Sequence, residues 1–309
     1  MTIVTATDGV ELAVHRYNEI DPARPTILAV HGYPDNHRVW DGVAEVLAQR
    51  YNVVAYDVRG AGESACPPSR SGYRLSQLVA DVGAVIDSLD VGRVHLLAHD
   101  WGSVQGWAAV TDDAVASKVA SFTSISGPHL TQTARFLRSA RTPRAAAQVL
   151  RQVLSSGYIW LFLCPAVPEL AFRSGLGVKV VEALERIGRP RAASRSESAP
   201  RSVGDYVNGL NLYRENLPAP LMSPGRQLPQ TGVAVQILVP TKDIFITPAL
   251  QRFMSSISQR GRVFPVDGGH WVVTSRPDAV ARLTGEWVDS ISTRHAIAGP
   301  VGNRAELGM

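Results

Sequence analysis

Short apolar runs alternate with longer periodic stretches along the first 130 residues, and this pattern predicts the elements of the fold. Four runs rich in β-branched residues end at turn residues, which is typical of buried parallel strands: 26–30, 51–56, 94–98 and 121–125. After the second run, seven apolar residues recur at three- and four-residue spacing from Leu75 to Leu89, as on one face of a helix. Strands that alternate with helices predict a doubly wound parallel sheet.

The pattern changes after Gly127. Residues 129–230 have the spacing of helices with basic faces, apart from a loop-like stretch at 189–202. Sheet-forming segments then return: strands are predicted at 233–239 and 262–266, followed by a closing helix at 277–291. The sheet is therefore expected to be interrupted by a helical insertion.

The beginning of the chain predicts a hairpin, because Asp8-Gly9 is a strong turn dipeptide between the apolar segments 2–5 and 10–17. Together these patterns predict an α/β fold, a mostly parallel sheet flanked by helices, with an inserted helical cap. The predicted division is a core of residues 1–128 and 231–295, a cap (lid) of 129–230, and a loose tail of 296–309.

The composition is that of a globular protein, since 45% of the 309 residues are hydrophobic and the net charge is +4. Cys66 and Cys164 are the two cysteines and cannot build a disulfide framework, so a reducing, cytoplasmic location is expected. The longest uncharged apolar stretch, 152–168, contains two prolines and is too short to span a bilayer. The N-terminal segment has no apolar run of the signal-peptide type.

The charge is distributed unevenly. Residues 135–201 contain twelve Lys/Arg and four Asp/Glu, whereas acidic residues outnumber basic ones in the remaining chain. A basic segment is compatible with an anionic partner, but it lacks the interleaved aromatic residues of a nucleic-acid site. A solvated, arginine-rich helix face is the favoured interpretation.

Candidate chemistry lies where the predicted strands end, because ligands bind at the carboxyl ends of strands in open α/β sheets. His31, Asp57, Asp100, Asp243 and His270 all follow predicted strands. The last three have the chain order nucleophile, acid, histidine base, which is the order of an α/β-hydrolase triad.

Asp100 occupies the nucleophile position. A nucleophile elbow needs small residues two positions before and after the reactive side chain, and Ala98 and Gly102 meet that need. No G-x-S-x-G motif occurs, which disfavours a serine esterase or lipase. An aspartate with an ordinary pKa is ionised at neutral pH and can attack an alkyl carbon to form an ester. A plain N-cap aspartate is the alternative interpretation.

Four motifs in this order resemble those of the α/β-hydrolase epoxide hydrolases, with haloalkane dehalogenases as close relatives. The resemblance covers nearly the whole chain and rests on HGYPD at 31–35, DVRGAGES at 57–64, HDWGS at 99–103 and DGGHW at 267–271. It implies that Asp243 orients His270 and that His270 activates water to cleave the ester. It also implies an oxyanion hole formed by the backbone N–H groups of Tyr33 and Trp101.

Epoxide opening also needs an acid near the oxygen, and two cap tyrosines supply it in the family. The segment LNLYREN at 210–216 resembles the family sequence around one of them and indicates Tyr213. The segment GYIWLF at 157–162 indicates Tyr158, with Tyr206 as the alternative. Substrate contacts are expected from four aromatic residues: Tyr33, Trp101, Trp160 and Phe162.

Other functions remain alternatives at this point. A dehalogenase is less favoured because Tyr33 stands where such enzymes usually have a halide-holding Asn, and a non-catalytic ligand-binding α/β-hydrolase fold also stays open. The G-x-G-x-x-A match at 60–65 is followed by Pro67 and Pro68, so the helix that a dinucleotide site requires cannot open there. We expect no cofactor, no metal, no nucleic acid and no membrane span. The expected partners are an epoxide substrate and water, and a homodimer is left open.

Overall fold

The computed structural model describes residues 1–189, 200–217 and 229–297, and an eight-stranded sheet forms its centre. The strands are β1 Thr2–Thr5, β2 Glu11–Arg16, β3 Thr26–Val30, β4 Asn52–Tyr56, β5 Val94–His99, β6 Val119–Ile125, β7 Ala234–Pro240 and β8 Gly261–Val266. Their order across the sheet is β1-β2-β4-β3-β5-β6-β7-β8.

Six of these strands run parallel, and the N-terminal hairpin adds an antiparallel edge. β1 pairs antiparallel with β2, and β2 pairs antiparallel with β4. From β4 to β8 every neighbouring pair is parallel. β3, β4, β5 and β7 are buried along their whole length, as their unbroken apolar runs predict. The predicted fold class is therefore confirmed, and each predicted strand lies within two residues of an observed one.

Helices cover the sheet and fill the interval between β6 and β7. The helices before that interval are α1 Asp41–Leu47, α2 Leu75–Ser88, α3 Trp101–Val110 and α4 Asp113–Ala116. The inserted helices are α5 Leu130–Leu137, α6 Pro143–Ser155, α7 Tyr158–Leu163, α8 Val167–Arg173, α9 Leu176–Glu185 and α10 Val203–Asn216. Those that follow are α11 Pro248–Phe253, α12 Val272–Ser275 and α13 Pro277–Ile297. Short 3₁₀ helices lie at His37–Trp40, Arg70–Tyr73 and Met254–Ile257.

The closing helix continues to Ile297 and so overlaps the first two residues of the predicted loose tail, 296–309. The rest of the tail and most of the loop-like stretch at 189–202 lie outside the described residues. The division into core and cap stays a prediction, in agreement with the six helices between β6 and β7.

In the part of the chain that the structure describes, no single helix is long and apolar enough to cross a membrane. Two neighbouring segments, Pro143–Leu163 and Val167–Arg173, are together long and apolar enough, but the chain bends by 87° at their junction.

Candidate active site

Asp100 occupies a sharp turn between β5 and α3. Its backbone has φ 52° and ψ −122°, a conformation that is rare and strained for a residue with a side chain. The turn brings α3 close to β3, because a Cβ atom on Gly102 would overlap the backbone carbonyls of Val30 and His31. Ala98 before the turn is fully buried. Small residues at 98 and 102 are thus what this backbone path requires.

The Asp100 carboxylate is held from two sides. Its Oδ1 accepts a hydrogen bond of 2.7 Å from the backbone N–H of Tyr33, in the loop after β3. Its Oδ2 lies 3.4 Å from Nε2 of His270, in the loop after β8. The N–H of Trp101 belongs to the first turn of α3, where a helix leaves its amides without intrahelical acceptors.

His270 joins Asp100 to a second carboxylate. Its Nδ1 lies 3.2 Å from both carboxylate oxygens of Asp243, which follows β7. Asp243 is fixed in turn by the backbone N–H groups of Phe245 and Ile246, at 2.9 and 3.0 Å, and by the amide of Gln251 at 3.1 Å. The carboxyl ends of β5, β7 and β8 thereby bring the three predicted residues into one chain of polar contacts.

The charges in this chain stabilise one another. Burial lowers the pKa of His270, but the Asp243 and Asp100 carboxylates outweigh burial and raise that pKa to about 10. Burial raises the pKa of Asp100, but the hydrogen bond and charge of His270 outweigh it and leave this pKa below its ordinary value. At neutral pH the resting site therefore contains an imidazolium between two carboxylates.

Two tyrosines face Asp100 from the inserted helices. Tyr158 begins α7 and Tyr213 lies near the end of α10, with their ring centroids 6.1 Å apart. The Tyr213 ring also packs edge-on against Trp101 at 5.0 Å and Tyr33 at 5.3 Å. Burial raises the pKa of both phenols, so both keep their protons at neutral pH and can donate hydrogen bonds. Tyr206 stacks on Phe172 and lines neither of the two cavities at this site.

Two cavities of about 290 and 220 Å³ meet at these residues, because Asp100, Tyr158 and Tyr213 belong to the walls of both. The first lies between α7, α8 and α9 and includes Tyr33 and Phe162. The second lies between α5, α6 and α11 and includes Trp101 and Trp160. The four predicted substrate contacts thus divide between the cavities, although Trp160 is 73% exposed and forms an outer edge.

The walls also contain a residue that the sequence did not indicate. Phe245 packs against the His270 ring at 4.9 Å and against the Tyr158 ring at 5.2 Å. Phe245 follows Asp243 by two residues, and this closeness to the predicted acid is the feature of the sequence that could have indicated it. Its ring covers one side of the imidazole.

A buried ion-pair network behind the site was also not predicted from the sequence. Arg201 donates hydrogen bonds to Asp35, in the loop after β3, and to Glu185, at the end of α9. Asp35 accepts another from the indole N–H of Trp271 at 3.2 Å, beside His270. Asp35 belongs to the HGYPD motif, but its partners are more than 100 residues away in sequence, so spacing gave no signal.

The described residues contain one group with metal-ligand chemistry: His15, His37 and Asp57. The two rings stack at 3.5 Å with an angle of 11° between their planes, and both imidazoles contact the carboxylate. Asp57 also accepts the backbone N–H groups of His37 and Glu63. An ion binds in the plane of an imidazole, so two stacked rings do not share one ion in this arrangement. The cluster fixes the loops around Asp57.

The glycine-rich segment at 60–65, which matches G-x-G-x-x-A, contacts the start of α10. Gly62 donates its N–H to Asp205 at 2.7 Å, and Asp205 forms a capping box with Ser202 at the start of α10. Residues 61–69 contain no helix. This segment holds α10 on the core and lacks the helix that a dinucleotide pyrophosphate requires.

Comparisons with known proteins agree with this architecture. A model of the α/β-hydrolase-fold family matches residues 25–277. The "Probable oxidoreductase EphD" of Mycobacterium tuberculosis is 33% identical over 305 residues, which are 93% of this chain and 49% of that protein. The chain therefore spans about half the length of this relative. "Epoxide hydrolase 2" of Caenorhabditis elegans is 28% identical over 277 residues, covering 85% of this chain and 74% of that protein.

Solved structures show the same fold. The Bacillus megaterium epoxide hydrolase in complex with an inhibitor superposes with a TM-score of 0.76 at 20% identity, covering 93% of this chain and 100% of that one. Epoxide Hydrolase A from Mycobacterium thermoresistibile gives a TM-score of 0.72 at 21% identity, covering 92% and 96%. The sheet topology, the elbow and the family match lead to one conclusion: this chain belongs to the α/β-hydrolase-fold family.

Proposed function

We propose that this chain hydrolyses an epoxide to a vicinal diol through a covalent ester on Asp100. The observation that supports it best is the site itself, in which a carboxylate on an elbow and two phenols line both of the apolar cavities. Carboxylate and phenols match the two needs of epoxide opening, a nucleophile for carbon and an acid for oxygen. The names of several relatives, such as the C. elegans epoxide hydrolase, point to the same chemistry.

In the first step, an oxygen of Asp100 attacks a ring carbon. A carbon–oxygen bond to Asp100 forms while the ring carbon–oxygen bond breaks, and its electron pair moves to the epoxide oxygen. Tyr158 and Tyr213 hold this oxygen, and one of them supplies the proton that makes it a hydroxyl group. Their raised pKa values keep both phenols protonated for this purpose.

Ester formation then changes the protonation of His270. The ester carries no charge, so one of the two carboxylates that raise the pKa of His270 disappears. The imidazolium can now return a proton to the phenolate and become a neutral base. Asp243 keeps the ring in place at 3.2 Å from Nδ1.

In the second step, His270 takes a proton from water and the resulting hydroxide attacks the ester carbonyl. The N–H groups of Tyr33 and Trp101 stabilise the oxyanion, as the 2.7 Å contact of Tyr33 with Oδ1 already suggests for the resting carboxylate. Collapse of the intermediate expels the diol oxygen, which takes up the carboxyl proton. The pair of Asp100 carboxylate and His270 imidazolium is restored.

The decisive experiment is a single turnover in ¹⁸O-labelled water with excess enzyme, followed by mass analysis of peptides and diol. The water oxygen should appear in the peptide that contains Asp100, since water attacks the ester carbonyl. Label in the diol alone would overturn the ester. His270→Gln should accumulate the alkyl-enzyme, with Asp100→Asn as the control that cannot form it.

Incubation of the protein with an epoxide and, separately, with a dibromoalkane distinguishes this activity from other ones. Halide release without diol formation from an epoxide would indicate dehalogenation. Neither product, together with tight binding of the epoxide, would indicate a ligand-binding protein.

The two cavities bear on the class of substrate. Both meet at Asp100, and their other lining residues are mostly apolar. An epoxide with an apolar substituent on each ring carbon fits this arrangement, because each arm can lie in a separate cavity while the oxygen faces the tyrosines.

A further inference from the structure

The inserted helices expose an unusual number of large apolar side chains. Leu154 of α6 is 72% exposed, Trp160 of α7 is 73%, Leu170 of α8 is 66% and Leu176 of α9 is 64%. We call the outward surface of α6–α9 the cap face. Clustered exposure of this kind usually marks an interaction site.

Helical spacing makes the exposed residues stripes rather than isolated positions. On α6, Leu150 and Leu154 are four residues apart, and on α9 so are Leu176 and Val180. The opposite side of these helices is also apolar in part, since Val181 of α9 is buried. Helices that are apolar on both sides are expected inside a protein or against a membrane.

The charged residues of the cap face are mainly cations. Arg144, Arg151, Arg173, Lys179 and Arg186 are exposed. The acidic residues of the same helices are half-buried, and two of them have internal partners. Glu169 pairs with Arg214 at 2.6 Å, and Glu185 pairs with Arg201. The outward surface therefore combines apolar side chains with positive charge.

The cap face continues into both cavities. Val153 and Trp160 are exposed and also line the second cavity, while Leu161, Leu176 and Val180 are exposed and line the first. An apolar molecule on the cap face would therefore contact side chains that also line the two cavities at Asp100.

We propose that the cap face docks on an anionic lipid bilayer. The apolar stripes lie among the lipid headgroups and upper acyl chains, and the Arg and Lys side chains contact lipid phosphates. The helices lie in the plane of the interface and do not cross the bilayer. This proposal goes beyond the proposed reaction and does not depend on it.

A second copy of the chain fits the same face poorly. A two-fold interface places the same patch on both partners, so it would bring two surfaces of the same positive charge together. An anionic surface neutralises them instead.

The test is flotation of the full chain with phosphatidylcholine vesicles and with phosphatidylcholine–phosphatidylglycerol vesicles. The protein should float with the mixed vesicles and detach at high salt. Tryptophan fluorescence gives a second measurement, because all six tryptophans lie in the described ranges and five of them are buried, which leaves Trp160 exposed. Brominated lipids should quench the Trp160 emission, and a Trp160→Phe variant should lose that quenching.

Two variants probe the two parts of the surface. Arg151→Gln with Lys179→Gln should weaken partitioning about 25-fold, at about five-fold for each basic residue near an anionic surface. Leu154→Ser with Leu170→Ser should weaken it at least about 10-fold through lost apolar burial. None of these four residues lines either cavity. Far-UV circular dichroism and thermal unfolding, which should match those of the wild type, serve as the check of folding. The matched controls are Ile3→Ser and Arg260→Gln, which lie on exposed positions of the core.

Three outcomes would overturn the proposal. The first is that the protein does not bind vesicles and Trp160 is not quenched. The second is equal binding to neutral and anionic vesicles. The third is that the chain does not bind vesicles but self-associates, and that Leu154→Ser with Leu170→Ser abolishes the self-association.

Discussion

Tyr158 and Tyr213 are the two phenols that face Asp100, and their separate contributions can be measured. In the proposed reaction each hydroxyl group donates one hydrogen bond to the developing alkoxide, so Tyr158→Phe and Tyr213→Phe should each lower kcat/KM for an epoxide about 100-fold or more. Steady-state diol formation measures this. Tyr206→Phe is the matched control on α10, since Tyr206 lines neither cavity and stacks on Phe172 from behind the first one. A loss in Tyr206→Phe equal to that in Tyr158→Phe would contradict the assignment.

His270 should make stability depend on pH above neutrality. Its pKa rises from 6.5 to about 10 on folding, so its stabilising contribution is complete below about pH 6.5 and is lost as the pH rises through 10. Between pH 7 and 10.5, the free energy of unfolding of the wild type should therefore fall more steeply than that of His270→Gln. Urea unfolding at several pH values measures both slopes. Parallel slopes would show that His270 is not held as an imidazolium.

Part of this site could be predicted from single residues. Asp100, Asp243 and His270 follow strands whose carboxyl ends meet at one edge of the sheet, and the structure brings them together. Gln251 and Phe245 were not predicted. Gln251 contacts Asp243 from α11, Phe245 contacts His270 from a loop, and neither residue belongs to a motif. Such contacts depend on how an element packs, which residue type does not indicate.

Among the elements, α9 and the segment before α10 are tied to the core by Arg201. Arg201→Met would leave the buried Asp35 without this cation and would remove the Arg201 contact of the half-buried Glu185, so we expect a loss of about 3–5 kcal/mol in the free energy of unfolding. Urea denaturation measures the loss. Adding Asp35→Asn should recover part of it, since the buried charge that lost Arg201 is then removed.

Two comparisons make the Arg201 experiment specific. Arg260→Met removes an exposed arginine and should change stability by no more than about 0.5 kcal/mol. Arg201→Lys keeps the charge but loses the planar fork, so it should lie between the wild type and Arg201→Met. Equal stability of Arg201→Met and the wild type would exclude a role for the ion pairs in fixing the inserted helices.

The presence of a helix was easier to predict than the direction in which each of its side chains points. Trp160 and Phe162 are two residues apart on α7, which places them about 200° apart around the helix axis. Both were expected to contact substrate, yet Phe162 packs against Tyr213 at 5.1 Å whereas Trp160 is mostly exposed. Two such residues cannot both face one cavity directly.

At the scale of the whole molecule, the two cavities should admit the two arms of a disubstituted epoxide. Ala171→Trp fills the first cavity and Thr133→Trp fills the second. Each should lower kcat/KM for an epoxide with two long apolar arms about 100-fold and leave turnover of a small terminal epoxide within about three-fold, because the reacting groups are untouched. Competition between the two substrates in one vessel measures the ratio. An unchanged ratio in both variants would place the arms elsewhere.

The sequence by itself determined the strands, the interruption of the sheet and the order of Asp100, Asp243 and His270. These follow from local spacing and from the rule that parallel strands end at the same edge. Tertiary structure alone decided that Tyr158 and not Tyr206 faces the cavity, that Arg201 joins Asp35 to Glu185, and that apolar residues of α6–α9 point outward. Periodicity fixes the directions of side chains relative to one another on a helix. Which direction meets protein depends on the neighbouring elements, and these come from distant parts of the chain.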